Sequence, residues 1–278
     1  MLPELGPAQV VLLAALGAGV GTLGTMVGVG GGFLLVPILL FLFPDAEPAA
    51  ITTMSLTAVV LTGFSATVGY RRHRLQDFRT GAIFIATALP ASVAGALVTR
   101  ATSRGVFDIV FGAVLVSAAL FIAWSGLRLP DTPDPAARGR ERRIVDRTGL
   151  VHEYRVNEPL TAAIAPVAGF GASFFGIGGG VAQVPFMILA LRIPSPVAVA
   201  TSQLGLMTAS AAALAVHAFF TLDQPELWLR ALIVGGGALA GAQVGVALAG
   251  RVGGRFVLRV IAAGLLIAGG RQLFVSLV

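Results

Sequence analysis

The chain has 278 residues, 56% of them hydrophobic and only 12% charged, with a mean hydropathy of +0.90. A soluble protein carries about twice that share of charge, so a water-coated globule is excluded and an integral membrane protein is implied. Cysteine is absent, which excludes disulfides, thiol catalysis and Cys-ligated metals; the net charge of +6 comes from Arg in loops between apolar segments, a membrane topology signal and not a nucleic-acid footprint.

A helix needs roughly 20 apolar residues to cross the bilayer core. Ten helical segments are predicted, at 8–27, 30–43, 49–70, 79–99 and 106–128, then 160–176, 178–192, 196–220, 227–249 and 256–276. The stretch Met1–Gln9 has no basic n-region, so the first segment reads as a span and not as a cleaved signal peptide. Three domains follow: a first transmembrane repeat, 1–128; a polar cytoplasmic linker, 129–158; and a second repeat, 159–278. The linker holds Pro130, Pro133 and Pro135, and its tail from Arg143 to Val156 alternates loosely, as a small solvated hairpin around Thr148-Gly149 would.

The two halves share an unusual motif. Gly28-Val-Gly30-Gly31-Gly32-Phe-Leu-Leu-Val36-Pro37 returns as Gly176-Ile-Gly178-Gly179-Gly180-Val-Ala-Gln183-Val184-Pro185, identical at six of ten positions. Each copy opens a segment too short to span alone, which ends before Pro44 in one half and before Arg192 and Pro194 in the other. Three glycines in a row exceed what close helix packing uses and are poor helix formers. Backbone freed at such a break is tolerated at membrane depth only where protein or a polar cavity covers it. Paired breaks in corresponding positions point to a transporter built from two repeats, with its binding site at the breaks.

Charge sets the orientation. The loop after the third segment carries Arg71, Arg72, Arg74 and Arg79, whereas its counterpart after the eighth carries Asp223 and Glu226. Placing the first loop, the linker and Arg251–Arg255 in the cytoplasm puts both termini outside and makes the second repeat inverted. Five crossings per repeat and three crossings plus a re-entrant hairpin fit this pattern equally. Arg100 and Arg104 fall on the outer side and run against it.

With these residues in hand, the chain resembles the TauE/SafE, or sulfite exporter, family of membrane permeases. The likeness rests on the two Gly-Val/Ile-Gly-Gly-Gly…Val-Pro motifs, on Thr52-Thr53-Met54-Ser55-Leu56 and Ala200-Thr201-Ser202-Gln203-Leu204, and on the Gly-rich stretches Pro90–Gly95 and Gly241–Gly245. The resemblance implies export of a small sulfur-containing anion, such as sulfite or a sulfonate, across the bacterial cytoplasmic (inner) membrane. It does not name the substrate.

The residues suit that chemistry. Helix N-termini offer unpaired N–H groups and a favourable dipole to an anion, and starts at Gly30, Gly31 and Gly32 and at Gly178, Gly179 and Gly180 would let it approach the backbone. Thr52, Thr53 and Ser55 in the first half, and Gln183, Thr201, Ser202 and Gln203 in the second, add hydroxyl and amide donors. Each hydroxyl could equally serve helix packing or capping. His217 is the one spanning histidine and a possible proton site; Asp108, Arg259 and Arg271 sit near segment ends, where Arg snorkels readily. The expected function is a secondary transporter working by alternating access, with no cofactor and with membrane lipid and a small anion as partners. An anion channel, or a permease for a different small anion, is the alternative. An intramembrane enzyme is disfavoured, since two of the three histidines, His73 and His152, lie in polar loops.

Overall fold

The computed structural model describes residues 6–126, 139–249, 251 and 253–277; the prolines of the linker, Pro130, Pro133 and Pro135, lie outside them. The described residues form ten helices and one β-hairpin. The first half contributes α1 (Pro7–Val27), α2 (Gly32–Leu42), α3 (Pro48–His73), α4 (Phe78–Ala101) and α5 (Arg104–Gly126). The hairpin pairs β1 (Arg140–Val145) with β2 (Val151–Val156). The second half contributes α6 (Glu158–Phe174), α7 (Gly180–Leu189), α8 (Ser195–Thr221), α9 (Pro225–Ala249) and α10 (Gly254–Leu277). Every predicted segment is a helix, with ends displaced by at most a few residues.

Seven of these helices are long and apolar enough to cross a membrane; α6 (17 residues), α2 (11 residues) and α7 (10 residues) are shorter. Large apolar side chains such as Phe41, Phe64, Val167, Phe219 and Ile267 lie on the outer surface. In water such a surface would aggregate, and in a bilayer it is solvated by acyl chains. The protein is therefore an all-α integral membrane protein.

Between helices in lipid, close packing replaces the hydrophobic drive. Here α1 lies so near α9 that a Cβ on Gly17, Gly21, Gly237 or Gly241 would strike the facing helix backbone. The small residues of α6 and α4 do the same, at Gly95 against Phe170 and Gly169 against Ala88. The other principal pairings are α3 with α9, α8 with α4, α3 with α8, and α5 with α10. Exchanging the halves maps these pairings onto one another. The most enclosed span is α3, 72% buried in its apolar window, so this helix stands at the centre.

The loops sort by charge onto two faces. On one, the backbone N–H of Arg147 in the hairpin donates to His73 C=O at the end of α3, and Tyr70 and Leu75 lie beside Ala249 at the end of α9 and Ser195 at the start of α8. On the other, the α2–α3 and α8–α9 loops surround a cavity of about 970 Å³ lined by Asp45, Glu47 and Glu226. Consequently α3 runs from the acidic face to the basic one, and α8 runs back. Arg104, on the acidic face, is neutralised by Asp108 (2.8 Å) and also donates to Ala46 C=O (2.6 Å), while Arg100 stacks on Phe220 (3.8 Å).

The hairpin is less solvated than its alternation suggests. Tyr154 and Val156 are buried on its inner edge. The Tyr154 hydroxyl donates to Asp77 Oδ2 (2.9 Å), and Arg142 pairs with Glu158 and lies 3.6 Å from Asp77.

Candidate functional site

The two Gly-rich breaks meet in the middle of the molecule. Helix α1 ends at Gly28 in the left-handed region (φ 84°), and the N–H groups of Val29 and Gly30 fold back onto Gly24 C=O. Helix α6 ends at the corresponding point, with Gly176 at φ 69° and the N–H groups of Ile177 and Gly178 turned onto Ala172 C=O. The short helices then start at Gly32 and Gly180, and these two starts cross. A Cβ on Gly32 would land on the backbone of Ile177, and one on Gly180 on the backbone of Val29. The first amides of α2 and α7 have no carbonyl one turn earlier to bind, so two helix N-termini come together at this crossing.

Each break is braced by the third helix of the opposite half. The Ser55 hydroxyl on α3 donates to Gly176 C=O (2.7 Å), and the Ser202 hydroxyl on α8 donates to Gly28 C=O (2.8 Å). A Cβ on Gly176 would strike Thr52, and one on Gly28 would strike Val199. Thus α3 lies over the second break and α8 over the first, a crossed bracing that reading each half separately does not disclose. Leu206 touches both breaks, at Gly30 and Gly178, with Val59 beside Gly178. As an ordinary Leu in an apolar run, it carries no sequence signal.

The candidate donors divide between the breaks. Around the second, Thr52 lies against Gly176, Ser55 holds Gly176 C=O, and the Gln183 carboxamide lies beside Gly179. A Cβ on Gly205 would touch both Nε2 and Oε1 of Gln183, so this glycine makes room for the amide. Gln183 is buried, and neither end of its carboxamide has a partner among the described residues; the same is true of Gln203. An unmet buried polar group costs about 1–3 kcal/mol. Beside a helix N-terminus, such a group is a candidate for contact with a ligand. Around the first break the only candidate hydroxyl engaged is that of Ser202.

Other candidates are turned elsewhere. The Thr53 hydroxyl donates to Ala49 C=O of its own helix (2.6 Å), and Thr201 Oγ1 accepts from Asp77 N–H (2.9 Å). Thr52 also donates within its helix, to Pro48 C=O (2.9 Å), while its Oγ1 lies 3.5 Å from Nε2 of buried His217. That contact brings His217 within one side chain of the second break. Gly30, Gly31, Gly32, Gly178, Gly179 and Gly180 are all buried.

Asp77 is a residue that sequence reasoning passed over. It caps α4, where Oδ1 accepts from the backbone N–H groups of Arg79 and Thr80. It also links the hairpin, through Tyr154, to Thr201, the neighbour of Ser202. Burial, with the Asp77 carboxylate beside it, pushes the Tyr154 phenol well above its ordinary range, so Tyr154 stays a donor. An Asp just before an apolar run is a legible N-cap; its second and third contacts are tertiary.

Broken helices paired across two halves and meeting at the centre of a multi-pass bundle define a membrane transporter. The chain belongs to the TauE/SafE sulfite exporter family, matching the family described as Sulfite exporter TauE/SafE over residues 13–273. It is 33% identical over 244 residues to a probable membrane transporter protein, YunE, of Bacillus subtilis, covering 86% of this chain and 88% of that one. It is 29% identical over 199 residues to a probable membrane transporter protein of Methanocaldococcus jannaschii, covering 69% of this chain and 66% of that one. A probable membrane transporter protein of Xylella fastidiosa is 25% identical over 195 residues, 69% of each chain. No solved structure matches the chain. The family and these relatives are transporters, not enzymes.

Proposed function

We propose that this protein is a secondary transporter that moves a small sulfur-containing oxyanion or sulfonate outward across the cytoplasmic membrane by alternating access of two inverted halves. The observation that carries the reading is the crossing of the two breaks, with the unpartnered Gln183 amide beside Gly179. Amide N–H groups at two helix starts and the Gln183 carboxamide suit a small anion, which needs several weak donors and no trapping cation; Thr52 and Ser55 line the same break with their hydroxyls turned onto backbone carbonyls. Ser202 supports the arrangement by holding the first break, while Thr53 bonds its own helix and Thr201 serves Asp77. Burial of all six break glycines fits a site reached from one side at a time better than it fits an open channel.

The charge of the faces supports the direction. With the basic face inside, cytoplasmic anions are drawn toward the molecule, while the Asp45, Glu47 and Glu226 cavity on the outer face disfavours their return. Membrane potential alone drives a monoanion outward by about 2.3 kcal/mol per 100 mV, so no proton relay is needed.

The test is calorimetry of the purified protein against sulfite, thiosulfate, sulfate, taurine and sulfoacetate, followed by flux in liposomes under imposed potential. Saturable, potential-driven movement of one of these anions is expected. Binding of none of them would remove the substrate class, and non-saturating channel currents would replace the transporter with an anion channel.

A further inference from the structure

A second feature lies far from the breaks, on the outer surface of the bundle. Helices α5 and α10 pack antiparallel, closely at one end, where Gly112 faces Leu273 and Gly269 faces Leu115. At the other end, toward the basic face, a groove of about 350 Å³ lies between them. Leu120 and Ala123 from α5 and Ala263 and Leu266 from α10 form its apolar wall, and Arg255 and Arg259 stand at its mouth. Leu120 and Leu266 are exposed, so the groove opens onto the bilayer and not into the core. Arg255 and Arg259 are one helical turn apart and so share a face. Both are exposed. Trp124, next to Ala123 and also exposed, marks the interfacial level, where Trp is enriched.

We propose that this groove binds an anionic glycerophospholipid, with one acyl chain along the α5–α10 wall and the phosphodiester held by Arg255 and Arg259. The two ends of the groove demand the two ends of a lipid. An apolar slot open to the bilayer takes a chain, and adjacent guanidiniums at the interface take a phosphate through paired N–H groups. Two neighbouring cations favour a headgroup with net negative charge over a zwitterionic one. A second copy of the chain fits poorly, since a two-fold contact through this face would bring four arginines together. A small free anion would leave the apolar slot unfilled. The site also touches the transport machinery, because α10 abuts α2 where a Cβ on Gly264 would strike Phe33, next to Gly32.

The experiment is native mass spectrometry of the full chain in detergent, with phosphatidylglycerol and phosphatidylcholine of matched chains added in turn. Wild type should retain phosphatidylglycerol on the order of tenfold more tightly or better, from about 1 kcal/mol per arginine. The double variant R255Q/R259Q should bring phosphatidylglycerol down to the phosphatidylcholine level. Ala263→Trp, which fills the groove and keeps both charges, should lower retention of both lipids. Glycerol 3-phosphate, a headgroup without chains, should not displace the lipid at equal concentration. Equal retention of the two lipids by wild type, unchanged phosphatidylglycerol binding in R255Q/R259Q, displacement by glycerol 3-phosphate, or a dimer that Ala263→Trp abolishes would each overturn the proposal. Should Ala263→Trp fail to fold, the arginine variant decides alone.

Discussion

The two breaks share a motif but not a set of neighbours. At the first, Gly28, Gly30 and Gly31 all have positive φ, and the residues against it are Val20, Val184, Val199 and Leu206, with one hydroxyl, that of Ser202. At the second, Gly176 and Gly178 have positive φ, but Gly179 is helical (φ −62°), with space beside it reaching to Gln183. Thr52, Ser55 and Gln183 gather there, and His217 follows through Thr52. Phe174 and Phe175, just before Gly176, also lock into an aromatic cluster with Phe107 and Phe111, with ring centroids 4.7–6.0 Å apart. Aligning the motifs sets Gln183 opposite Leu35, an apolar residue. The lesson is that the two halves use the same backbone device while polar side chains collect at one. We read the first break as a mechanical pivot and the second as the ligand-bearing one.

The sharpest way to break this comparison is to add side chains to the third glycine of each motif. Gly31→Val places a β-branched residue at φ 80°, against Val20. The backbone alone costs about 1–3 kcal/mol and the clash adds to it, so loss of folded protein is expected in size-exclusion chromatography. Gly179→Ala meets only ordinary contacts and a helical backbone, so folding and melting temperature should stay near wild type while transport falls. Equal collapse of both variants would erase the distinction.

The amide comes next. Gln183→Leu copies the first half into the second. Losing a hydrogen bond to a charged ligand removes about 1.5–3 kcal/mol, roughly 10- to 100-fold in affinity. Thermal stability should hold or rise, because an unmet buried group has gone. The mirror change, Leu35→Gln, should lower stability by about 1–3 kcal/mol without improving affinity. If calorimetry finds full affinity in Gln183→Leu, the second break is not the ligand-bearing one.

Smaller effects separate the two serines. Ser55→Ala and Ser202→Ala each strand a break carbonyl, so each should lower stability by about 1–3 kcal/mol. Only Ser55→Ala should also weaken anion binding. Matching affinity losses in both would mean that the breaks share the ligand evenly.

The smallest change is expected at His217, which approaches the second break only through Thr52. His217→Gln should leave potential-driven transport nearly intact and shift its pH dependence slightly. Uphill anion movement driven by a pH gradient at zero potential, and lost in His217→Gln, would make the protein proton-coupled through this residue.

Much of this molecule was determined by local sequence. Ten helices follow from apolar run length, the two breaks from glycines that no helix interior favours, and the charge difference between loops from plain Arg and Asp counts. All of these are properties of neighbouring residues, so they survive without tertiary context. The assignment of side chains to sites was not of that kind. Thr53 and Thr201 read as ligand donors beside Ser55 and Ser202, yet Thr53 bonds its own helix and Thr201 serves Asp77, because on a helix adjacent residues point about 100° apart and only packing tells which direction is the centre. That Ser55 braces the second break and Ser202 the first, that Leu206 touches both, and that Tyr154 of the linker reaches Asp77 are decided by how the halves cross. Such contacts join residues from opposite halves of the chain, and no pattern in either half records which partner it will meet.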